Sequence, residues 1–102
     1  LESLGIWNSL APHVAGVQNV RMALALVASG DARYGIVYAS DAVADARVTV
    51  AARFDAALHS PIIYPAAAIS SAQNPHAGAF LDHLSSPAAR AIFAQHGFAP
   101  LP

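Results

Sequence analysis

Asn19-Val20-Arg21-Met22-Ala23-Leu24-Ala25-Leu26-Val27-Ala28-Ser29-Gly30, followed four residues later by Gly35-Ile36-Val37-Tyr38-Ala39-Ser40-Asp41-Ala42, is the stretch that decides the fold. Asn19 is a strong helix N-cap and Gly30 a strong stop, so the spacing predicts a helix over Val20 to Ser29. Val20, Ala23, Leu24, Val27 and Ala28 recur at helical intervals and give one apolar stripe, with Arg21 and Ser29 off it. Tyr34 to Tyr38 is a compact β-branched and aromatic run, suited to a strand buried on both faces. Val14 to Val17, before the helix, reads as another short strand.

Working outward, Asp41 to Ala46 reads as a short helical turn, and Arg47 to Ala52 alternates as a half-exposed strand does. Ile62 to Ile69 is a further strand interrupted by Pro65, which cannot donate to a ladder and so places it at an edge or a kink. Asn74 caps a helix from Pro75 to Leu84, and Ser86 caps one from Pro87 to His96 that Gly97 ends. The order strand, helix, strand, strand, strand, helix, helix predicts a parallel α/β unit with the last helical pair laid over one sheet face. Leu1 to Trp7 reads as the last turns of a helix already in progress. The chain is therefore expected to be a fragment, with any signal peptide standing upstream.

With 102 residues and 56% apolar composition, there is material for one small domain or part of a larger one. Charged residues make up 11% and the net charge is -1, against about a quarter in a usual soluble domain, so some apolar surface is expected to want a partner. There is no lysine, and Arg21, Arg33, Arg47, Arg53 and Arg90 are dispersed, which removes the electrostatic footprint of a nucleic-acid binder. The absence of cysteine excludes disulfides and thiolate metal sites. No apolar run approaches the roughly 20 residues of a membrane-spanning helix.

In an open α/β sheet a ligand sits beyond the carboxyl ends of the strands, which here means the loop before Val20 and the end of the Gly35 to Tyr38 run. The first backbone N–H groups of the helix, at Val20 and Arg21, carry the positive end of the helix dipole, and the Tyr38 hydroxyl adds a further donor. Neutral donors of this kind select a fully deprotonated oxyanion, because a protonated one would need an acceptor the site does not offer.

Other groups have duller readings. His76 and His83 fall seven apart on a predicted helix but lack an acidic or thiolate frame, and His13, His59 and His96 stand singly, so no metal site is expected. Ser9, Ser40, Ser60, His59, Asp41 and Asp55 contain the members of a hydrolase triad, yet no Gly-x-Ser-x-Gly elbow is present. Asp31, Asp41, Asp45 and Asp55 are spaced as loop and cap residues rather than as a calcium loop.

Four blocks in order, Asn19-Val20-Arg21 with its Ala-Leu-Ala-Leu-Val helix, Gly35 to Ala44, Pro61-Ile62-Ile63-Tyr64-Pro65-Ala66-Ala67, and Ser86 to Phe98, resemble the periplasmic molybdate-binding family, the substrate-binding components of molybdate ABC transporters. The Gly-Ile-Val-Tyr and final Gly-Phe blocks are the more specific. The resemblance implies the C-terminal portion of a two-lobed, type II periplasmic-binding-protein-like α/β fold. In it, residues 1–60 are part of the second ligand-binding lobe, and residues 61–102 are a crossover strand and helices returning toward the first.

The resemblance further implies periplasmic capture of molybdate or tungstate, without enzyme activity, cofactor or resident metal, for delivery to an inner-membrane ABC permease. Val20 and Tyr38 match the family's helix-start N–H and tyrosine hydroxyl. The serine-bearing loops of that site have no counterpart here, and Ser40, Ser70 and Ser71 do not match them. Two alternatives stand beside it: an effector-sensing domain of a transcriptional regulator, which the two specific blocks argue against, and a small Ser/His hydrolase. Residues 61–102 would lack the sheet they cover, so a homodimer of the fragment, with exchanged elements as an option, is expected.

Overall fold

The computed structural model describes residues 1–101 and divides into two units, Leu1–Ile62 and the chain from Ile63 onward. The first unit contains α1 (Trp7–Leu10), a single 3-10 turn over Ala11–His13, α2 (Val20–Ser29), α3 (Ala39–Ala44) and a second 3-10 turn over Ala56–Leu58. The second contains α4 (Ala77–Leu84) and α5 (Pro87–Gln95).

The helix over Val20 to Ser29 forms as its punctuation dictates. The Asn19 side chain accepts the Met22 N–H at 3.0 Å, and Gly30 takes φ 87°, a left-handed stop that a side chain would strain. In the second unit the Ser86 hydroxyl caps α5 by accepting the Ala89 N–H at 3.2 Å. Gly97, at φ 83°, closes that helix. There the Phe98 N–H reaches the Phe93 carbonyl at 3.0 Å and the Gly97 N–H the Ala94 carbonyl at 3.1 Å. These are the paired bonds of a Schellman motif, completed by the Phe93 and Phe98 rings at 6.2 Å. Tyr64 adds an edge-on contact to Phe98 at 5.4 Å.

Three boundaries shift. α3 begins at Ala39, two residues before the expected Asp41, because the Asp41 carboxylate reaches back to the Tyr38 N–H and makes Tyr38 the cap. α4 begins at Ala77 rather than Pro75: the Asn74 side chain is spent on the His76 N–H at 2.9 Å, which caps a turn before the helix. The N-terminal residues are not the tail of a helix. Gly5 sits at φ 68° and its N–H closes a turn onto Glu2, so helix begins only at Trp7.

The larger correction concerns strands. Val14 to Val17, Tyr34 to Tyr38, Arg47 to Ala52 and Ile62 to Ile69 were all expected to be strands, and among the described residues there is none. The physical reason is that a helix satisfies its own backbone, whereas a strand exists only with a partner to receive its N–H and C=O groups. Tyr34 is 74% and Ile36 59% exposed, the opposite of a run covered on both faces. The expected α/β sheet, and with it a sheet face for the last helices to cover, is absent among the described residues. What holds the first unit is the packing of α2 against α3, with Leu24 buried in it; in the second, α4 packs on α5 and buries Ala89.

Candidate functional site

The first turn of α2 is built to leave donors open. Asn19 satisfies the Met22 N–H through its side chain and the Ala23 N–H through its carbonyl, at 3.4 Å. Among the described residues, the Val20 and Arg21 N–H groups have no acceptor within the chain, and they stand at the positive end of a ten-residue helix.

Tyr38 ends the Gly35 to Val37 segment in extended backbone, φ -76° and ψ 156°, and caps α3. Its ring is partly exposed. Val20 and Tyr38 line one cavity of about 660 Å³, together with Leu24, Val27, Gly35 and the segment 48–54. The structure therefore places the two sequence-predicted residues in the lining of a single cavity. Gly35 makes that wall possible: a Cβ there would stand 2.8 Å from Val27 Cγ2, so the segment can lie against α2 only without a side chain.

What sequence reasoning missed is the tie between the two helix starts. Asp41 is the buried charged residue among those described, 3% exposed, and its two oxygens face different elements. Oδ1 pairs with Arg21 Nε at 2.9 Å, in the first turn of α2, while Oδ2 accepts the Tyr38 N–H at 3.2 Å, at the start of α3. Sequence had already marked Asp41 as a cap residue, which it is. The one further signal available was that Arg21 and Asp41 each follow a predicted donor by one to three residues.

Beyond α3, the Asp45 carboxyl is pulled down to about 2 by hydrogen bonds from the side chain and backbone of Arg47, whose guanidinium is pushed up in return. Its Oδ1 and Oδ2 accept from Arg47 Nε at 3.0 Å and Nη2 at 2.7 Å.

The remaining candidates are engaged locally. His59 Nδ1 lies 2.8 Å from the Ser60 carbonyl, Asp55 caps the Ala57 N–H, and the Ser9 hydroxyl donates to the Ile6 carbonyl. With Asp41 committed to Arg21 and Tyr38, those contacts assemble no triad. His76 precedes α4 and His83 lies in its last turn, both exposed. Among the described residues no group of three or more His, Asp or Glu could hold a metal ion, and no helix is long and apolar enough to cross a membrane.

The family described as bacterial extracellular solute-binding protein matches residues 1–99. The chain is similar to the molybdate-binding protein ModA of Escherichia coli (strain K12), 44% identical over 98 residues that cover 96% of this chain and 38% of that protein. It is 37% identical over 98 residues to the molybdate-binding protein ModA of Haemophilus influenzae, covering 39% of it. It is 29% identical over 99 residues to the putative ABC transporter substrate-binding lipoprotein YvgL of Bacillus subtilis (strain 168), covering 38% of it. The chain thus spans less than two fifths of the length of the curated relatives it matches. No solved structure matches it.

Proposed function

This chain belongs to the bacterial extracellular solute-binding proteins, and from that premise we propose that it is the C-terminal portion of a periplasmic protein that binds molybdate or tungstate for an inner-membrane ABC importer. The observation that carries the reading is the convergence of Val20, at the open start of α2, and Tyr38 on one cavity, in a chain that matches two molybdate-binding proteins almost end to end.

In this reading the Val20 N–H and the Tyr38 hydroxyl each donate to an oxygen of a tetrahedral dianion, and the helix dipole adds about half a positive charge behind Val20. No group at these positions accepts a proton, so the fully deprotonated anion is preferred. The rest of the coordination shell comes from serine hydroxyls and a backbone N–H outside this chain. The segments 34–38, 47–52 and 62–69, which carry strand patterns without partners here, become strands of a type II two-lobed α/β fold when that polypeptide supplies their neighbours. Residues 1–60 then belong to the second lobe and residues 61–102 return toward the first. Binding and delivery require no catalysis and no cofactor.

Isothermal titration of molybdate into the full-length protein, with sulfate and phosphate as competitors, tests this. Tight binding that sulfate and phosphate displace only weakly is expected, together with weak or no binding by residues 1–102 alone. Absence of molybdate binding by the full-length protein would overturn the reading. For the isolated chain we also propose a homodimer, since Tyr34, Ile69, Phe80 and Leu101 are all more than 60% exposed. Sedimentation at high concentration giving only monomer would refute it.

A further inference from the structure

Asp41 occupies a position that neither capping nor packing requires to be charged. It is nearly fully buried, and its partner Arg21 keeps 66% of its side chain exposed. A buried carboxylate that loses its partner is strongly unfavourable, so the pair acts as one unit. One oxygen fixes Arg21, the residue after Val20, and the other fixes the backbone of Tyr38. The carboxylate therefore ties the side chain next to one assigned donor to the backbone of the residue that carries the other, and it pairs with the one cation in the first turn of α2.

We infer that Asp41 is a positioning residue for oxyanion recognition: by joining the starts of α2 and α3 and neutralising Arg21, it sets the spacing of the two donors and leaves selection to neutral hydrogen bonds. This rests on the oxyanion reading above. A free guanidinium beside Val20 would attract any oxyanion, sulfate and phosphate included, because its charge and its forked donors suit all of them. Held by Asp41, Arg21 contributes geometry without indiscriminate attraction. A residue that merely supported the fold would, when replaced, weaken all anions together. The neutralising role predicts changes of opposite sign for the two partners.

The test uses full-length protein and titrates molybdate and sulfate separately, at low and high sodium chloride, into the parent, Arg21→Gln, Asp41→Asn and the double variant. Arg21→Gln leaves the Asp41 charge unopposed next to the site, and molybdate affinity should fall about tenfold, the scale of one charge-assisted contact. Asp41→Asn keeps a side-chain oxygen for the Tyr38 N–H but releases Arg21, so sulfate should bind more tightly than to the parent, with a steeper salt dependence. The double variant, neutral at both positions and close in shape, should recover the parent's preference for molybdate over sulfate. It also serves as the fold-safe control should either single variant fail to fold.

A double variant that stays as unselective as Asp41→Asn, with the same steep salt dependence, would overturn the inference, as would folded single variants indistinguishable from the parent. A parent that binds neither anion would overturn the oxyanion reading and this inference with it. That outcome differs from the others because it is seen before any substitution is made.

Discussion

Gly35→Ala probes the wall that brings Tyr38 toward α2, and its cost can be worked from one distance. The new methyl carbon would lie 2.8 Å from Val27 Cγ2, whereas carbon atoms in good contact sit about 3.5–4.0 Å apart, so a shift of roughly 0.7–1.2 Å is needed. Val27 is on α2 and is β-branched. In a helix such a side chain has one strongly preferred rotamer and cannot swing aside cheaply. The Ala23 carbonyl oxygen, 3.6 Å from the same point, is in ordinary contact.

The strain must then be taken up by moving segment 34–38 away from α2, at the cost typical of overpacking, about 1–3 kcal/mol. For a unit of this size that corresponds to a fall in Tm of roughly 5–20 °C. Thermal melts of the parent, Gly35→Ala, Val27→Ala and the double variant form the assay. Because Val27→Ala removes the atom that is struck, the double variant should be less destabilised than the two single effects added together. An unchanged Tm for Gly35→Ala, or strict additivity of the two substitutions, would refute the close approach and with it the account of why glycine stands at position 35.

Val20→Pro deletes one donor at a position where proline's fixed φ suits the first residue of a helix; titration calorimetry should show molybdate binding weakened by about 1–3 kcal/mol with the helix intact, and unchanged affinity would remove Val20 from the site. Tyr38→Phe should weaken binding by a similar amount, with circular dichroism unaltered. Asn19→Ala removes the acceptor of the Met22 N–H and should lower stability by about 1 kcal/mol in urea unfolding, most of which Asn19→Ser should restore. Because the Asp45 carboxyl is held at about 2 in the folded chain against its ordinary 3.8, the Arg47 pair contributes stability that is fully present above the ordinary value and lost as pH falls through 2. The difference in urea midpoint between the parent and Asp45→Asn should therefore shrink from pH 6 to pH 2, and a difference independent of pH would contradict the pairing.

The parts of this molecule that could be read from sequence are those whose hydrogen bonds close locally. Asn19, Gly30, Ser86 and Gly97 each act within four residues of themselves, and each marks a helix end in the structure as its chemistry required. Asp41, two residues into α3, behaves as a cap for the same reason. The family resemblance was legible because it rests on ordered blocks, and the match over residues 1–99 bears it out. The Arg21–Asp41 pair was not legible. Two opposite charges twenty positions apart carry no signal of contact until α2 and α3 are packed together.

The strands failed for a deeper reason. The alternation in Arg47 to Ala52 and the β-branched run in Tyr34 to Tyr38 encode which side chains a sheet would bury, but half of every strand is its neighbour, and a neighbour is not a property of the segment. Ile62, Ile63 and Tyr64, each more than half exposed, show the same pattern waiting on a partner. Relatives of this chain devote more than three fifths of their length to polypeptide that it does not match. If that polypeptide supplies the neighbours, the amide N–H groups of Ile36, Val37, Val50 and Ile63, which exchange freely when unpaired, should become protected in the full-length protein. If the anion binds as proposed, the Val20 amide should become protected only when molybdate is added.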